Sequence, residues 1–133
     1  MTAPPSTSRS RILVLVGFAA AWWIFDLLVL RAVSAGPQHG FGIAQWIAQV
    51  TQDDLRIDDG ALYTSLHRLE RRSLLKSSWG ITDKNRKAKY YQLTAAGRDA
   101  LARDTAQWTA YAAAMFRVLK SQKEAIRLLE RMG

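Results

Sequence analysis

The apolar positions of this chain change their period along its length, and each period predicts a different element. Residues 12–25 are apolar without a break, and after Asp26 the run resumes as Leu27-Leu28-Val29-Leu30. Such a run predicts a first helix that must be covered on every face. Ser34-Ala35-Gly36-Pro37 ends it, because proline cannot continue the hydrogen-bond ladder. Phe41, Ile43, Ile47 and Val50 predict a short second helix. Gln52-Asp53-Asp54 and Asp58-Asp59 bracket the loop beyond it, where Asp58 or Asp59 is placed to cap a third helix.

The third helix carries two chemistries. At about 100° per residue, Leu62, Leu66 and Leu69 fall within roughly 60° of one another and face inward. Tyr63, Thr64, His67, Arg68 and Arg71 gather on the other side, where hydroxyls, an imidazole and guanidinium groups can reach base edges and phosphates. Leu75, Trp79 and Ile81 then share one parity, as strand residues facing a core do, and Lys89-Tyr90-Tyr91-Gln92-Leu93-Thr94 alternates again. The basic stretch Asp83-Lys84-Asn85-Arg86-Lys87-Ala88 between them reads as the turn of a β-hairpin. Thr94 is placed to cap a last, long helix from Ala95, with Leu101, Trp108, Tyr111, Ala112, Met115 and Leu119 on one stripe. A lone copy gains little from such a stripe, so it predicts pairing with a second copy.

These elements predict a mainly α fold with a small β-hairpin: a winged helix-turn-helix domain plus a long C-terminal dimerisation helix. The expected organisation is a flexible tail over 1–11, an apolar helical extension over 12–25, the DNA-binding domain over 26–94 and the dimerisation helix over 95–133. Three readings of the apolar extension stay open: a helix packed in protein, a membrane anchor over 12–30, and a signal core. The run is short for a bilayer, and an anchor would place Asp26 in hydrocarbon.

Charge sharpens the partner. The 133 residues hold 19 Lys+Arg against 11 Asp+Glu, a formal +8. Between Tyr63 and Arg98 there are nine bases and two acids, so an excess of seven lies in about a quarter of the chain. An anionic partner docked there explains that concentration. The absence of cysteine excludes disulfides and thiol nucleophiles, and with two histidines the usual zinc sets are excluded too. No phosphate loop, nucleophile-base pair or metal motif is present, so neither catalytic residues nor a cofactor are expected. His39, between Gln38 and Gly40, reads as structural.

The sequence resembles the PadR-like family of winged-helix transcription regulators over roughly residues 26–120. The resemblance rests on Asp26-Leu27-Leu28-Val29-Leu30, on Gly36-Pro37-Gln38-His39-Gly40-Phe41-Gly42-Ile43, and on Gly60-Ala61-Leu62-Tyr63 with Leu66-His67-Arg68-Leu69-Glu70. The segment from Asn85 through Tyr90-Tyr91 to Gly97 completes it. It implies a homodimeric, cytoplasmic repressor whose third helix and wing bind double-stranded operator DNA. It also implies that Tyr63, His67, Arg68, Arg86 and Lys89 sit where family members contact DNA. Thr64 stands where the family often has proline, and residues 12–24 are more apolar than its usual start.

The candidate DNA-binding set is therefore Tyr63, Thr64, His67, Arg68, Arg71, Arg86, Lys87 and Lys89. Trp108, Tyr111 and Met115 are candidates for dimer core, or for a pocket taking a small aromatic or hydrophobic effector. The rival functions are a membrane-associated regulator and a sequence-blind basic DNA-binding protein.

Overall fold

The computed structural model describes residues 19–132. The expected tail over 1–11 and the first part of the apolar extension, 12–18, lie outside them. Among the described residues four helices and three strands run in the order α1 (Ala19–Ala32), β1 (Gln38–His39), α2 (Gly40–Val50), α3 (Asp59–Arg71), β2 (Leu75–Ile81), β3 (Lys87–Leu93) and α4 (Ala95–Met132). The chain divides into two compact units, one reaching to Leu101 and the other running from Ala102.

The first unit is built around a single apolar core. Phe25, Val29, Leu30 and Val33 enter it from α1 and its end, Ile43 and Ile47 from α2, and Leu62, Leu66 and Leu69 from α3. Leu74, Leu75, Tyr91, Leu93 and Ala100 close it. The α3 leucines are buried to within 1% of complete, as their spacing predicts. In the second helix only Ile43 and Ile47 meet the expectation. Phe41 points away on the opposite side, and Val50, although on the core side, is the last residue of the helix and stays exposed.

Capping follows the side-chain chemistry. Asp58 Oδ2 accepts the Ala61 amide at 3.2 Å, and Thr94 Oγ1 accepts the Gly97 amide at 3.0 Å while donating to Ser73 O at 2.7 Å. Each satisfies amides that the first helical turn cannot pair internally. Gly97 is required by packing, because a side chain there would collide with the Leu74 carbonyl.

The sheet is larger than the expected hairpin. β3 pairs antiparallel with β2 in the register Leu75↔Leu93 to Ile81↔Lys87, and β1 adds a third strand on its other edge through Gln38↔Tyr91 and His39↔Tyr90. Two residues are too few to leave a periodicity in sequence. The parity of Leu75, Trp79 and Ile81 holds, but the inward orientation expected for all three does not. Leu75 is buried, whereas Trp79 is 66% and Ile81 63% exposed, because the hairpin runs on past the edge of the helical core.

From Phe25 onward helix α1 is packed in protein, and no helix among the described residues is long and apolar enough to cross a membrane. In the second unit α4 continues without interruption to Met132. It exposes Tyr111, Met115, Phe116, Val118, Leu119, Ile126, Leu128 and Leu129.

Candidate nucleic-acid interface

Helix α3 is held on both flanks by carboxylates, and those two contacts decide what its remaining side chains face. On one flank Asp26 of α1, only 6% exposed, accepts Ser65 Oγ at 2.6 Å and Arg68 Nε at 3.0 Å, with Arg68 Nη2 on its other oxygen. Arg72 Nη1 stands 4.0 Å from the same carboxylate. A buried carboxylate demands such partners, since an unpaired one would shed its charge or unfold the seam. On the other flank Glu70 Oε2 accepts Ser77 Oγ at 2.5 Å from β2, and Lys89 Nζ of β3 lies 3.6 Å from Oε1. The wing is thereby tied to the helix.

Between these anchors α3 turns Tyr63, Thr64, His67 and Arg71 outward. The Thr64 hydroxyl donates to Gly60 O at 2.8 Å within the helix. Tyr63 is 46% exposed, and its ring lies over the start of α2, where a Cβ on Gly40 would stand 2.8 Å from the hydroxyl oxygen. Only glycine permits that approach without displacing the ring.

Beside this face the wing turn is shaped by Asn85 at φ 61, with Thr82 N and Arg86 O bonded at 2.8 Å and Asn85 N to Thr82 O at 2.8 Å. Asparagine tolerates that left-handed backbone. Lys84, Arg86 and Lys87 are exposed there, and Lys87 Nζ sits 5.3 Å from the centre of the Trp79 ring. A concave surface of about 1010 Å³ joins the two parts. Tyr63 and His67 line it from α3, Lys84, Arg86, Lys87 and Lys89 from the wing, and Gln45, Trp46 and Gln49 from α2. Four cations and one carboxylate, Asp83, line it.

Five of the candidates, Tyr63, His67, Arg86, Lys87 and Lys89, thus converge on one concavity, with Thr64 and Arg71 on the adjoining outward face. Arg68 is placed differently from expectation. It lies on the flank toward α1, its side chain 24% exposed and committed to Asp26. Asp26 lies outside the charge-rich segment in sequence, which hid this pairing. The spacing of Ser65, Arg68 and Arg72 along one flank, opposite a lone carboxylate in an apolar run, is the signal that could have found it. Gln38, Gln45, Trp46 and Gln49 left no comparable signal.

Tyr91, beneath the concavity, has its hydroxyl pKa raised from the ordinary 10.0 by burial first, then by the Glu70 charge and Tyr63. His39 is half-buried, with Nδ1 3.0 Å from Gln38 Oε1 and its ring 5.2 Å from that of Tyr90. In the second unit the Trp108 and Tyr111 rings lie 5.8 Å apart at 37°, and Met115 is exposed.

Comparison with known proteins places this geometry in a family. In sequence the chain is 35% identical over 78 residues to the transcriptional regulator Rv3488 of Mycobacterium tuberculosis, covering 59% of this chain and 69% of that protein. In structure it matches a PadR family transcription regulator of Clostridium difficile with a TM-score of 0.61 and 27% identity, over 71% of this chain and 96% of the other. A transcriptional regulator of Clostridium thermocellum shares the fold with a TM-score of 0.67 at 22% identity, over 75% of this chain and 97% of that one. The model of the transcriptional regulator PadR-like family matches residues 29–103. That span covers α3, the wing and most of the core, and the chain belongs to the PadR-like family of transcriptional regulators.

Proposed function

We propose that this chain is a sequence-specific repressor that binds double-stranded operator DNA as a homodimer. The observation that carries the reading is the concavity in which Tyr63 and His67 of α3 meet Arg86, Lys87 and Lys89 of the wing. A helix presenting hydroxyl, imidazole and guanidinium groups suits base edges in a major groove, and a hairpin of cations beside it suits the flanking phosphates. In this reading Tyr63 and Thr64 meet the backbone at the helix start, and His67 and Arg71 reach toward bases. Arg86 and Lys87 neutralise phosphates, and Lys89 lies beside them, held 3.6 Å from Glu70 Oε1.

The homodimer is supported by α4, whose exposed Tyr111, Met115, Phe116 and Leu119 form an apolar surface that a soluble single copy has no reason to keep. Twofold pairing sets two α3 helices against a pseudo-palindromic site. Release by a small aromatic effector is supported only by the Trp108–Tyr111 ring pair beside Met115.

Footprinting the purified chain on the DNA upstream of its own gene, with random duplex as competitor at moderate salt, tests the reading. A protected two-part site that survives competition is expected. Binding that fades equally on every sequence as salt rises identifies a sequence-blind cationic protein instead.

A further inference from the structure

Among the described residues, Asp26 is met by Ser65 and Arg68 of α3 and by Arg72, which follows that helix. Ser65 Oγ donates at 2.6 Å, Arg68 Nε at 3.0 Å with Nη2 on the second oxygen, and Arg72 Nη1 stands at 4.0 Å. A planar guanidinium gripping two carboxylate oxygens uses the same fork by which arginine grips two oxygens of a phosphate. Arg68 sits next to His67 in sequence, on the flank adjoining the outward face. Its commitment to Asp26 therefore removes a cation from the surface that a duplex would meet.

We propose that Asp26 is a specificity-determining residue that takes the place of a phosphate on Arg68 and withholds this cation from random duplex. The proposal rests on the DNA-binding reading above and deepens it. Cation–phosphate pairs form on any sequence and set the background of non-specific binding, while discrimination is the ratio of specific to background affinity. A free Arg68 would raise the background on every sequence. Held by Asp26, it stiffens the seam between α1 and α3 and leaves recognition to Tyr63, Thr64, His67 and Arg71. A purely architectural Asp26 has the opposite signature, because its loss would loosen the helix and weaken binding to every duplex.

The test is a salt titration of the full-length chain on a short random duplex, followed by fluorescence anisotropy. Asp26→Asn keeps the shape and an acceptor for Ser65 but removes the charge. With about 0.9 of slope per phosphate contact, the log–log salt dependence steepens by about one for Arg68, or two if Arg72 joins it. Each contact adds roughly a 3.5-fold loss of affinity between about 50 and 200 mM salt. Random duplex binds more tightly at the low end, and preference for the footprinted site falls. Adding Arg68→Met to Asp26→Asn restores the original slope. A folded Asp26→Asn chain with an unchanged or shallower slope overturns the proposal.

A measurement on the unaltered chain needs no variant to fold. The Arg68 Nε–H signal in a nitrogen-resolved NMR spectrum stays in place when random duplex is added, and a shift there overturns the proposal. An unaltered chain that binds no duplex at low salt overturns the DNA-binding reading and this inference together. Normal binding with no change on Asp26→Asn overturns this inference alone.

Discussion

Removing the Glu70 carboxylate probes how the wing is fixed against α3. Two contacts are lost in Glu70→Ala: the 2.5 Å bond from Ser77 Oγ and the 3.6 Å ion pair with Lys89. A hydrogen bond to a charged group contributes about 1.5–3 kcal/mol, and an exposed ion pair about 0.2–1 kcal/mol. The Glu70 side chain is 31% and that of Lys89 35% exposed, so solvent screening puts both terms near their lower ends. The expected loss is about 2 kcal/mol, or about 10 °C in Tm for a domain of this size. Glu70→Gln keeps an acceptor for Ser77 and should cost only about 0.5 kcal/mol. It also frees Lys89, so binding to random duplex should gain a steeper salt dependence. Urea and thermal melts of both variants read the stability terms, and anisotropy reads the binding term. If Glu70→Ala melts within about 0.5 kcal/mol of the parent chain, the tether is not what holds the wing and the reasoning fails.

Other perturbations test separate parts of the molecule. Leu66→Ala, at a fully buried position of α3, should cost about 2–5 kcal/mol in urea unfolding through lost transfer energy and the cavity left behind. Gly40→Ala should push the Tyr63 ring from its seat over α2 and weaken operator binding, and a crystal structure with the ring unmoved would disprove the stated reason. Arg86→Ala combined with Lys87→Ala should make the salt slope shallower by about two while leaving sequence preference intact. Tyr91 holds its proton to higher pH when folded than when unfolded. Its contribution to stability is therefore complete below about pH 10 and lost as pH rises through the raised folded pKa. Alkaline melts of Tyr91→Phe should lack that part of the decline, and identical pH dependence in both chains would rule it out.

The fold was readable where a period persisted for several turns or where a cap named its own boundary. Leu62, Leu66 and Leu69 identified α3 and its buried side, and Asp58 and Thr94 marked the starts of α3 and α4. The wing was readable from alternation, but alternation assigns residues to a face without saying what covers that face. Trp79 and Ile81 therefore read as core, although the hairpin carries them past it. Strand β1 escaped notice because two residues have no period, and its existence depends on an edge of β3 supplied from far along the chain.

The site divided in the same way. Tyr63, His67, Arg86 and Lys87 could be picked out because helix spacing and hairpin geometry determine which way they point. Arg68 could not be placed from its own segment, since its partner lies 42 residues earlier in an apolar run that carries no mark of which helix it faces. The count of surplus cations between Tyr63 and Arg98 suffers similarly. Arg68 is answered by Asp26 and Lys89 by Glu70, so the cations on the face toward a duplex are chiefly Lys84, Arg86 and Lys87 of the wing tip and Arg71.

Hydrogen–deuterium exchange of the full-length chain, with and without its footprinted duplex, tests most directly whether α3 and the wing form one DNA-binding surface. Simultaneous protection of residues 59–71 and 82–89, appearing at the same duplex concentration, is the predicted result. Protection confined to one of these segments, or appearing only elsewhere in the chain, would contradict it.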